Sequence, residues 1–340
     1  MIKQDSDQPP NRPFRKPSVP LLEVNDLKVY YHTPLGLVNA VDGIDFLLEK
    51  GEVLGIVGES GSGKTTLASS LVRLLPYDAQ IFSGQILLDG KLDIAKIGER
   101  ELREEIRGVR IMLISQNAIN ALDPLFKVGF QIAEAAIVHN SKISKKEALK
   151  KAEELLELVG IDASKINNYP HELSGGQRQR VMIAMAIASN PDLLVADEPT
   201  TALDVLVQAR IIRLLKELKE KLGLSMLIVS HDLSVITQLC NKCAVMYAGK
   251  IVELGQISEI IHRPRHPYTI SLKNAFPHVK AKRIKLEYIP GNPPNLIRPP
   301  PGCRFHPRCS YTQEICIKEE PSLRLVEKNH LVACHFAETM

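Results

Sequence analysis

Residues 58–65 read GESGSGKT, and this stretch decides the fold. It matches the phosphate-binding loop G-x-x-x-x-G-K-[ST]. The apolar run at 54–57 directly before it predicts a short buried strand, and residues 65–75 after it predict a helix that Pro76 stops. In this context the glycines let backbone N–H groups turn inward around phosphate oxygens, helped by the positive end of the helix. The stretch therefore predicts a nucleotide-binding protein of the α/β class.

The side chains of this loop have predictable roles. Lys64 is expected to reach the β- and γ-phosphates, and the Thr65 hydroxyl is expected to ligate Mg²⁺. The alternative is a glycine-rich turn without a ligand, which average composition produces in about one chain in a hundred of this length. The strand–loop–helix context disfavours that alternative further. The predicted nucleotide contacts in this region are Gly58, Glu59, Ser60, Gly61, Ser62, Gly63, Lys64, Thr65 and Thr66.

A second apolar strand is predicted at 193–196, and it ends in two carboxylates within the run LLVADE. Asp197 at the strand tip is expected to hold Mg²⁺, directly or through water, and Glu198 is expected to polarise the attacking water. ATP hydrolysis needs mainly positioning and charge neutralisation, and a cation, a lysine and a basic carboxylate supply both. The alternative is a strand followed by a solvated acidic turn, which the upstream phosphate loop disfavours.

Residues 173–177 read LSGGQ, twenty positions before the second strand begins. Ser174 is expected to cap a helix that runs through Ala188, while Gly175 and Gly176 permit close backbone approach. Taken alone, LSGGQ is also compatible with a plain helix cap. Together with the phosphate loop and LLVADE in this order, it resembles the ATP-binding cassette (ABC) ATPases, over about 250 residues and about six motifs.

The resemblance implies a P-loop NTPase fold of the RecA-like type with an antiparallel β subdomain. It also implies an α-helical signature subdomain at about 115–190, inside an ATPase domain at 21–275. In this family two cassettes close around two ATP molecules, and the LSGGQ loop contacts the nucleotide of a second ABC ATPase subunit. The residues implied in that contact are Ser174, Gly175, Gly176 and Gln177.

Further single positions match the family. Gln116, after the predicted strand at 111–114, resembles the glutamine that senses Mg²⁺ and the membrane partner, and the resemblance makes it a nucleotide and Mg²⁺ contact. His231, after the strand predicted at 224–229, resembles the histidine that contacts the γ-phosphate. Lys64, Glu198 and His231 thus form the predicted catalytic set. A bland surface histidine is the alternative for His231, and its position after both carboxylates disfavours it.

Two predictions concern the edges of the nucleotide site. Asp204, within TALD, resembles the aspartate that crosses the interface between two cassettes. Tyr31 is the aromatic residue expected to stack on the adenine, with Tyr30 as a close competitor.

Charge and hydropathy limit the setting of this cassette. Lys and Arg number 43 against 39 Asp and Glu, a net charge of +4 without a basic stripe, so nucleic acid is not an expected partner. No stretch approaches the roughly 18–20 apolar residues that span a bilayer. Residues 1–20 carry five prolines and no apolar signal-peptide core, which predicts a flexible arm. We therefore expect a cytosolic chain that reaches the membrane through partners.

The C-terminal region narrows the resemblance. RPRHPYT at 263–269, the proline-rich run at 290–309 and the segment at 116–129 resemble the oligopeptide/dipeptide importer ATPases. This implies an extension at 276–340, two transmembrane permease subunits and, indirectly, an extracellular substrate-binding protein. The expected location is the cytoplasmic face of the cell membrane. Import of oligosaccharides or nickel is the alternative, followed by a cassette ATPase that acts on nucleic acid or ribosomes and by a non-catalytic regulatory cassette.

Six cysteines in a cytosolic chain argue against structural disulfides. Four lie in the last 40 residues with the spacing C-x5-C-x6-C-x17-C, namely Cys303, Cys309, Cys316 and Cys334. Structural zinc usually takes a C-x2–4-C pair, which this set lacks, whereas thiolates with looser spacing hold a [4Fe–4S] cluster. The peptide-importer resemblance also implies such a cluster. Zn²⁺ and plain reduced thiols are the alternatives. Cys240 and Cys243 are expected to be core thiols, on a helix that precedes a strand at 244–248.

Overall fold

The computed structural model describes residues 19–116, 121–138, 143–201, 203–275 and 289–340. The predicted arm at 1–20 therefore lies almost entirely outside the described residues. So do residues 276–288 of the predicted extension and parts of the segment at 116–129. In the described part of the chain, no helix combines the length and the apolarity that a membrane crossing requires.

Strands and helices are numbered in chain order. The strands are β1 (Leu22–Thr33), β2 (Gly36–Leu48), β3 (Val53–Val57), β4 (Ala79–Leu88), β5 (Leu92–Asp93), β6 (Ile111–Ile114), β7 (Leu193–Asp197), β8 (Ser225–Ser230), β9 (Lys242–Tyr247), β10 (Lys250–Gln256), β11 (Arg324–Glu327) and β12 (His330–Val332). The helices are α1 (Lys64–Ser70), α2 (Glu99–Glu101), α3 (Val128–Val138), α4 (Lys145–Leu158), α5 (Gly175–Ile187), α6 (Val205–Leu222), α7 (Leu233–Leu239), α8 (Ile257–His262), α9 (Pro267–Ala275) and α10 (Glu314–Lys318).

The larger of the two sheets carries the site. Its strand order is β11-β12-β10-β9-β3-β8-β7-β6, and the five strands from β9 to β6 are parallel. Strands β3, β7, β8 and β9 are buried along their whole length. Such uninterrupted burial is expected for parallel strands covered on both faces. The prediction of an α/β P-loop fold is confirmed.

Alternate residues of the central strands face two different layers. Leu54 and Ile56 of β3 pack with the second sheet, which is antiparallel and has the order β2-β1-β4-β5. Val53 and Val57 of β3 pack instead with the helical layer that includes α3, α4 and α5. The antiparallel pairing of β4 with β1 and β5 confirms the peripheral β subdomain that the resemblance implied.

The helix after the phosphate loop is shorter than predicted. The prediction was 65–75, whereas α1 ends at Ser70. The chain then turns, and Arg73 takes a left-handed φ of 50°. Its guanidinium donates to the carbonyl of Ile97, 2.6 Å away, which ties this turn to the segment after β5.

The C-terminal segment completes the large sheet. Strand β12 pairs antiparallel with β10, with Glu253 opposite Val332. Beneath this pair, Nε2 of His330 lies 2.7 Å from Oε1 of Glu253, and both residues are fully buried. Glu253 also accepts the backbone N–H groups of Arg265 and His266. One buried carboxylate therefore joins the C-terminal hairpin to the strands of the cassette.

Candidate functional site

The phosphate loop connects the buried strand β3 to helix α1, which is the arrangement that the sequence predicts. Gly63, the residue before α1, has a φ of 101°. A Cβ atom at this position would lie 2.0 Å from the carbonyl oxygen of Ala40. Both the backbone angle and the space therefore require glycine here.

Lys64 lies in the centre of the loop. Its ammonium group donates to the carbonyl oxygens of Gly58 and Glu59, each 2.8 Å away, and it lies 3.4 Å from Oγ of Ser62. Burial lowers the pKa of Lys64, while the carboxylates of Glu198 and Asp197 oppose this effect. A buried cation surrounded by carbonyl oxygens is placed to meet phosphate oxygens.

Asp197 ends strand β7 beside the loop. It is 2% exposed, and burial raises its pKa more than the neighbouring Thr65 hydroxyl lowers it. Its Oδ1 atom is buried without a hydrogen-bond partner among the described residues. A buried carboxylate oxygen left free beside a hydroxyl is the kind of oxygen donor set that Mg²⁺ takes. The residues present therefore fit the predicted cation.

Glu198 follows directly, with a left-handed φ of 51°. Its backbone N–H donates to Val229 of β8 over 2.9 Å, which holds this strained residue in place. One carboxylate oxygen accepts from Thr201 at 2.7 Å and lies 3.4 Å from Nε2 of Gln116. The other lies 2.9 Å from Nδ1 of His231.

These contacts set the charge of Glu198. Burial acts to raise the pKa of its carboxyl, but the hydrogen bonds from Thr201 and His231 outweigh burial, so the pKa is lowered. The carboxylate is therefore ionised at neutral pH, and Thr201 and His231 fix its orientation. The structure thus brings Lys64, Asp197, Glu198 and His231 together as predicted.

The two candidate aromatic residues have different surroundings. The hydroxyl of Tyr31 lies 3.0 Å from Oγ1 of Thr66 in α1, which places Tyr31 beside the phosphate loop. Tyr30 instead donates to Asp42 over 2.6 Å and stacks on Phe82 at 5.0 Å between ring centroids. The adenine contact remains a prediction, and this geometry favours Tyr31 over Tyr30.

The LSGGQ motif starts helix α5. Ser174 and Gln177 form a reciprocal capping box, with 3.3 Å and 3.1 Å between the paired atoms. Such a box satisfies backbone donors that the first turn leaves free. A Cβ atom on Gly176 would lie 2.6 Å from Val207 of α6. The starts of α5 and α6 therefore lie side by side.

Asp204 caps the neighbouring helix α6 by accepting the N–H of Val207 over 2.9 Å. Val205 and Leu206 beside it are 81% and 72% exposed. Among the described residues, the hydrogen bonds of Ser174, Gln177 and Asp204 all stay within their own helix starts. Ser174 and Asp204 are exposed, and none of these capping hydrogen bonds involves the phosphate loop.

The four C-terminal cysteines converge although they lie on separate segments. All four line one cavity, together with the rings of Phe305 and Phe336. Burial raises the pKa of Cys303 to about 11, and it also raises the pKa of Cys309 and of Cys334. The N–H of Cys303 donates to the carbonyl of Cys316 over 2.8 Å. A four-thiol donor set that shares one cavity fits a metal group.

The sulfur atoms of this site are widely spaced. In the described part of the chain, only one group of three possible metal ligands has all its ligand atoms within 4.8 Å of one another, and it consists of Glu259, Glu327 and His330. No three of the four thiols therefore lie that close together. Tetrahedral zinc, with Zn–S bonds of about 2.3 Å, would hold its sulfur atoms about 3.8 Å apart. In this structure the sulfur atoms therefore do not lie as close together as a bound zinc would hold them.

Cys240 and Cys243 are buried core residues, as predicted. The prediction that both lie on a helix is wrong. Helix α7 ends at Leu239, and Cys240 follows it in an extended conformation. Cys243 lies in strand β9, where it pairs with Gly255 of β10. The helix boundary was predicted wrongly because short apolar runs are compatible with both a helix and a strand.

Sequence reasoning missed several contacts of the site. Thr201 hydrogen bonds to Glu198 three positions before it, and a predicted turn at the end of β7 would have indicated this contact. Tyr268 and Arg308 contact Glu59 of the phosphate loop from 209 and 249 residues away. No local pattern predicts contacts at such separations.

Comparisons with known proteins agree with this geometry. The ABC transporter family model matches residues 41–201, and the model for the C-terminal region of oligopeptide/dipeptide transporters matches residues 252–316. The oligopeptide transport ATP-binding protein OppD of Bacillus subtilis (strain 168) is 47% identical over 316 residues, which cover 92% of this chain and 87% of that protein. This chain belongs to the ATP-binding proteins of ABC transporters.

Further relatives of this ABC ATPase support the same family. The OppD protein of Salmonella typhimurium is 44% identical over 321 residues, or 94% of each chain. Among solved structures, a dimeric ATP-binding cassette in a post-hydrolysis state with ADP and phosphate has a TM-score of 0.62 and 28% identity. It covers 69% of this chain and 98% of its own. ATP-binding proteins of this family hydrolyse ATP to power transport, and the family prediction is confirmed.

Proposed function

We propose that this ABC ATPase powers the uptake of oligopeptides or dipeptides. The observation that carries the ATPase part is the convergence of Lys64, in the loop after β3, with Asp197 and an ionised Glu198, at the end of β7, along one edge of the parallel sheet. The peptide part rests on the C-terminal match at 252–316 and on relatives named for oligopeptide and dipeptide transport. The chain would work at the cytoplasmic face of the membrane, with two permease subunits and, through them, an extracellular binding protein.

The phosphate loop and its neighbours divide the chemistry between them. The backbone at 58–66 and Lys64 hold the β- and γ-phosphates, while Tyr31 stacks on the adenine. Glu198 accepts a proton from the attacking water, and His231 orients this carboxylate and contacts the γ-phosphate. Thr65, Gln116 and Asp197 would hold Mg²⁺, which neutralises charge on the phosphate oxygens when it is bound.

The exposed helix starts supply the second half of each site. Ser174, Gly175, Gly176 and Gln177 would cover the γ-phosphate bound to a partner cassette, and Asp204 would cross the same interface. Support comes from the exposed Val205 and Leu206 beside Asp204 and from the solved relative, which is dimeric. The second cassette is either a copy of this chain or a different ATPase subunit.

An exposed surface in the segment that follows Gln116 in the chain is suited to a permease. Phe126 and Phe130 stack at 5.2 Å between ring centroids and are 47% and 37% exposed, next to Leu125 at 79%. Exposed aromatic side chains that already support one another are typical anchors in protein interfaces. We propose that a helix of the permease docks here, so that its movement reaches Glu198 through Gln116.

We propose that the four C-terminal cysteines hold a [4Fe–4S] cluster. Four irons that each take one thiolate separate the sulfur atoms by the width of the cluster, whereas a single zinc would draw them together. The wide spacing of Cys303, Cys309, Cys316 and Cys334 around one cavity supports the cluster over zinc. When bound, such a group cross-links segments that are too short to form a core of their own.

The transport assay is the direct test of this function. The chain is reconstituted in proteoliposomes with its permeases and binding protein, and ATP hydrolysis is measured with and without di- and oligopeptides. Stimulation by peptides, with uptake of labelled peptide, is expected. Stimulation by nickel or oligosaccharides alone would overturn the substrate class. Salt-sensitive stimulation by nucleic acid, without any response to transport substrates, would overturn the transport role itself.

A further inference from the structure

The segment that carries the cysteines touches the phosphate loop through Arg308. The guanidinium of Arg308 binds both carboxylate oxygens of Glu59, at 2.6 Å and 3.0 Å. Its remaining donors reach the carbonyl of Pro290 at 2.8 Å and the hydroxyl of Tyr247 at 3.3 Å. The Arg308 side chain is 5% exposed. A bidentate pair of this kind fixes orientation as well as charge.

A second contact holds the backbone of the same loop residue. The N–H of Glu59 donates to the hydroxyl of Tyr268 over 2.8 Å. Tyr268 packs against Phe305 with 5.4 Å between ring centroids, and Phe305 lies between Cys303 and Cys309 in the chain. Both the side chain and the backbone of Glu59 are therefore positioned by residues outside the sequence motifs of the ATP site.

Arg304 is connected to the loop indirectly. It donates to the carbonyl of Ala248 over 2.6 Å and forms an ion pair with Asp42. Gly249, which follows Ala248, donates its N–H to the carbonyl of Ser62 over 2.9 Å. Arg308 thus contacts Glu59 directly, whereas Arg304 is connected to Ser62 through Ala248 and Gly249.

The charge of Glu59 makes these contacts matter for ATP. The carbonyl of Glu59 accepts the Lys64 ammonium, so Glu59 belongs to the loop around the lysine that is expected to bind the phosphates. A carboxylate without a partner in this loop would repel the phosphate charges. Arg308 removes that repulsion.

We propose that Arg308 is a positioning residue for ATP binding, through which the cysteine-bearing segment sets the affinity of the phosphate loop. The inference rests on the proposed ATPase function. Arg308 directly precedes Cys309, and Arg304 directly follows Cys303, so a shift of the four-cysteine site moves both arginines. Coupling of this kind is reciprocal: ATP in turn stabilises the arrangement of the cysteines.

A double-mutant cycle on the full-length chain tests the inference. The dissociation constant of ATP is measured for wild type, Arg308→Ala, Glu59→Gln and the double variant. Arg308→Ala is expected to weaken ATP binding about tenfold, a change of about 1.4 kcal/mol. In the Glu59→Gln background the same change is expected to cost less than about threefold, because no carboxylate is left to repel the phosphates. Arg308→Lys, which keeps the charge without the fork, is expected to fall between wild type and Arg308→Ala.

Arg298→Ala is the matched control, since Arg298 is an exposed arginine of the same segment. Its ATP affinity should equal that of wild type. Equal losses from Arg308→Ala with and without Glu59, or no loss at all, would overturn the inference. If Arg308→Ala does not fold, Arg308→Lys with and without Glu59→Gln gives the same comparison. Failure of wild type itself to bind ATP would instead refute the proposed function.

Retention of the bound metal provides a readout that is independent of ATPase activity. Saturating ATP is expected to slow the release of metal from the four-cysteine site to a chelator in the wild type, and to slow it much less in Arg308→Ala. An equal effect of ATP in both proteins would contradict the coupling.

Discussion

Oε1 of Glu198 lies 2.9 Å from Nδ1 of His231, although 33 residues separate them in the chain. The two residues directly follow β7 and β8, which are neighbouring parallel strands with Asp197 opposite Val229. Parallel strands end at the same edge of a sheet, so the register alone brings the carboxylate and the imidazole together. This pairing makes the two motifs parts of one site.

Replacement of His231 should therefore affect the chemical step more than binding. His231→Ala is expected to lower kcat at least about a hundredfold, because Glu198 loses a partner that orients it. Tm should change little, since the imidazole is 53% exposed. ATP affinity is expected to fall much less than kcat, because the loop backbone and Lys64 also hold the phosphates. Steady-state ATPase kinetics and a nucleotide-binding assay separate the two effects. His262→Ala, at the end of α8, is the control; a loss of affinity with unchanged kcat would contradict the assigned role.

The Asp197 carboxylate is expected to lower the stability of the fold and to be required for Mg²⁺ binding. Burial raises its pKa, so the ionised form destabilises the fold without a cation. Asp197→Asn removes that charge and is expected to raise Tm by about 2–4 °C in Mg²⁺-free buffer. The same variant should lose the tightening of ATP binding by Mg²⁺. Thermal unfolding and ATP titrations with and without Mg²⁺ measure both effects, and an unchanged Mg²⁺ response would exclude Asp197 as a ligand.

His266 should make the fold sensitive to mild acid. Burial lowers its pKa to about 4, and its Nδ1 accepts the N–H of Tyr268 over 3.0 Å. The unfolded chain takes up this proton below about pH 6.5, whereas the folded chain does so only near pH 4, so stability falls as the pH drops between these values. From pH 7.5 to 5.5 this group should remove about 1.4 kcal/mol.

Urea unfolding at the two pH values measures this loss. His266→Asn, whose amide oxygen still accepts from Tyr268, is expected to lose less stability on acidification than wild type by about that amount. His262→Asn should follow the wild type. An identical pH dependence for His266→Asn and wild type would show that His266 is not neutral in the fold.

The cysteine site should be visible in the purified protein. Anaerobic preparation is expected to give a brown protein with about four irons and four acid-labile sulfides per chain. Cys309→Ser should lower the iron content, whereas Cys240→Ser should leave it unchanged, because Cys240 is a core thiol outside the cavity. One zinc per chain and no iron would refute the cluster.

The sequence predicted those features that depend on one motif within one secondary-structure element. The phosphate loop, the carboxylates after β7 and the Ser174 cap were all predicted, because each depends on a few neighbouring residues. The pairing of β12 with β10 and the contact between Arg308 and Glu59 were not predicted. These depend on how distant segments pack, and neither periodicity nor spacing carries that information. Cys243 was assigned to the wrong element because burial on both faces hides the period of a strand.

The mass of the Glu198→Gln variant in the presence of ATP and Mg²⁺ is the most direct test of whether two cassettes pair around the nucleotide. Light scattering coupled to size exclusion is run on the chain alone and in a mixture with the second ATPase chain of its transporter. We expect a nucleotide-dependent pair of cassettes in at least one of the two samples, and we expect Gly176→Asp to abolish this pairing. A variant that binds ATP and remains at 37.8 kDa in both samples would contradict it.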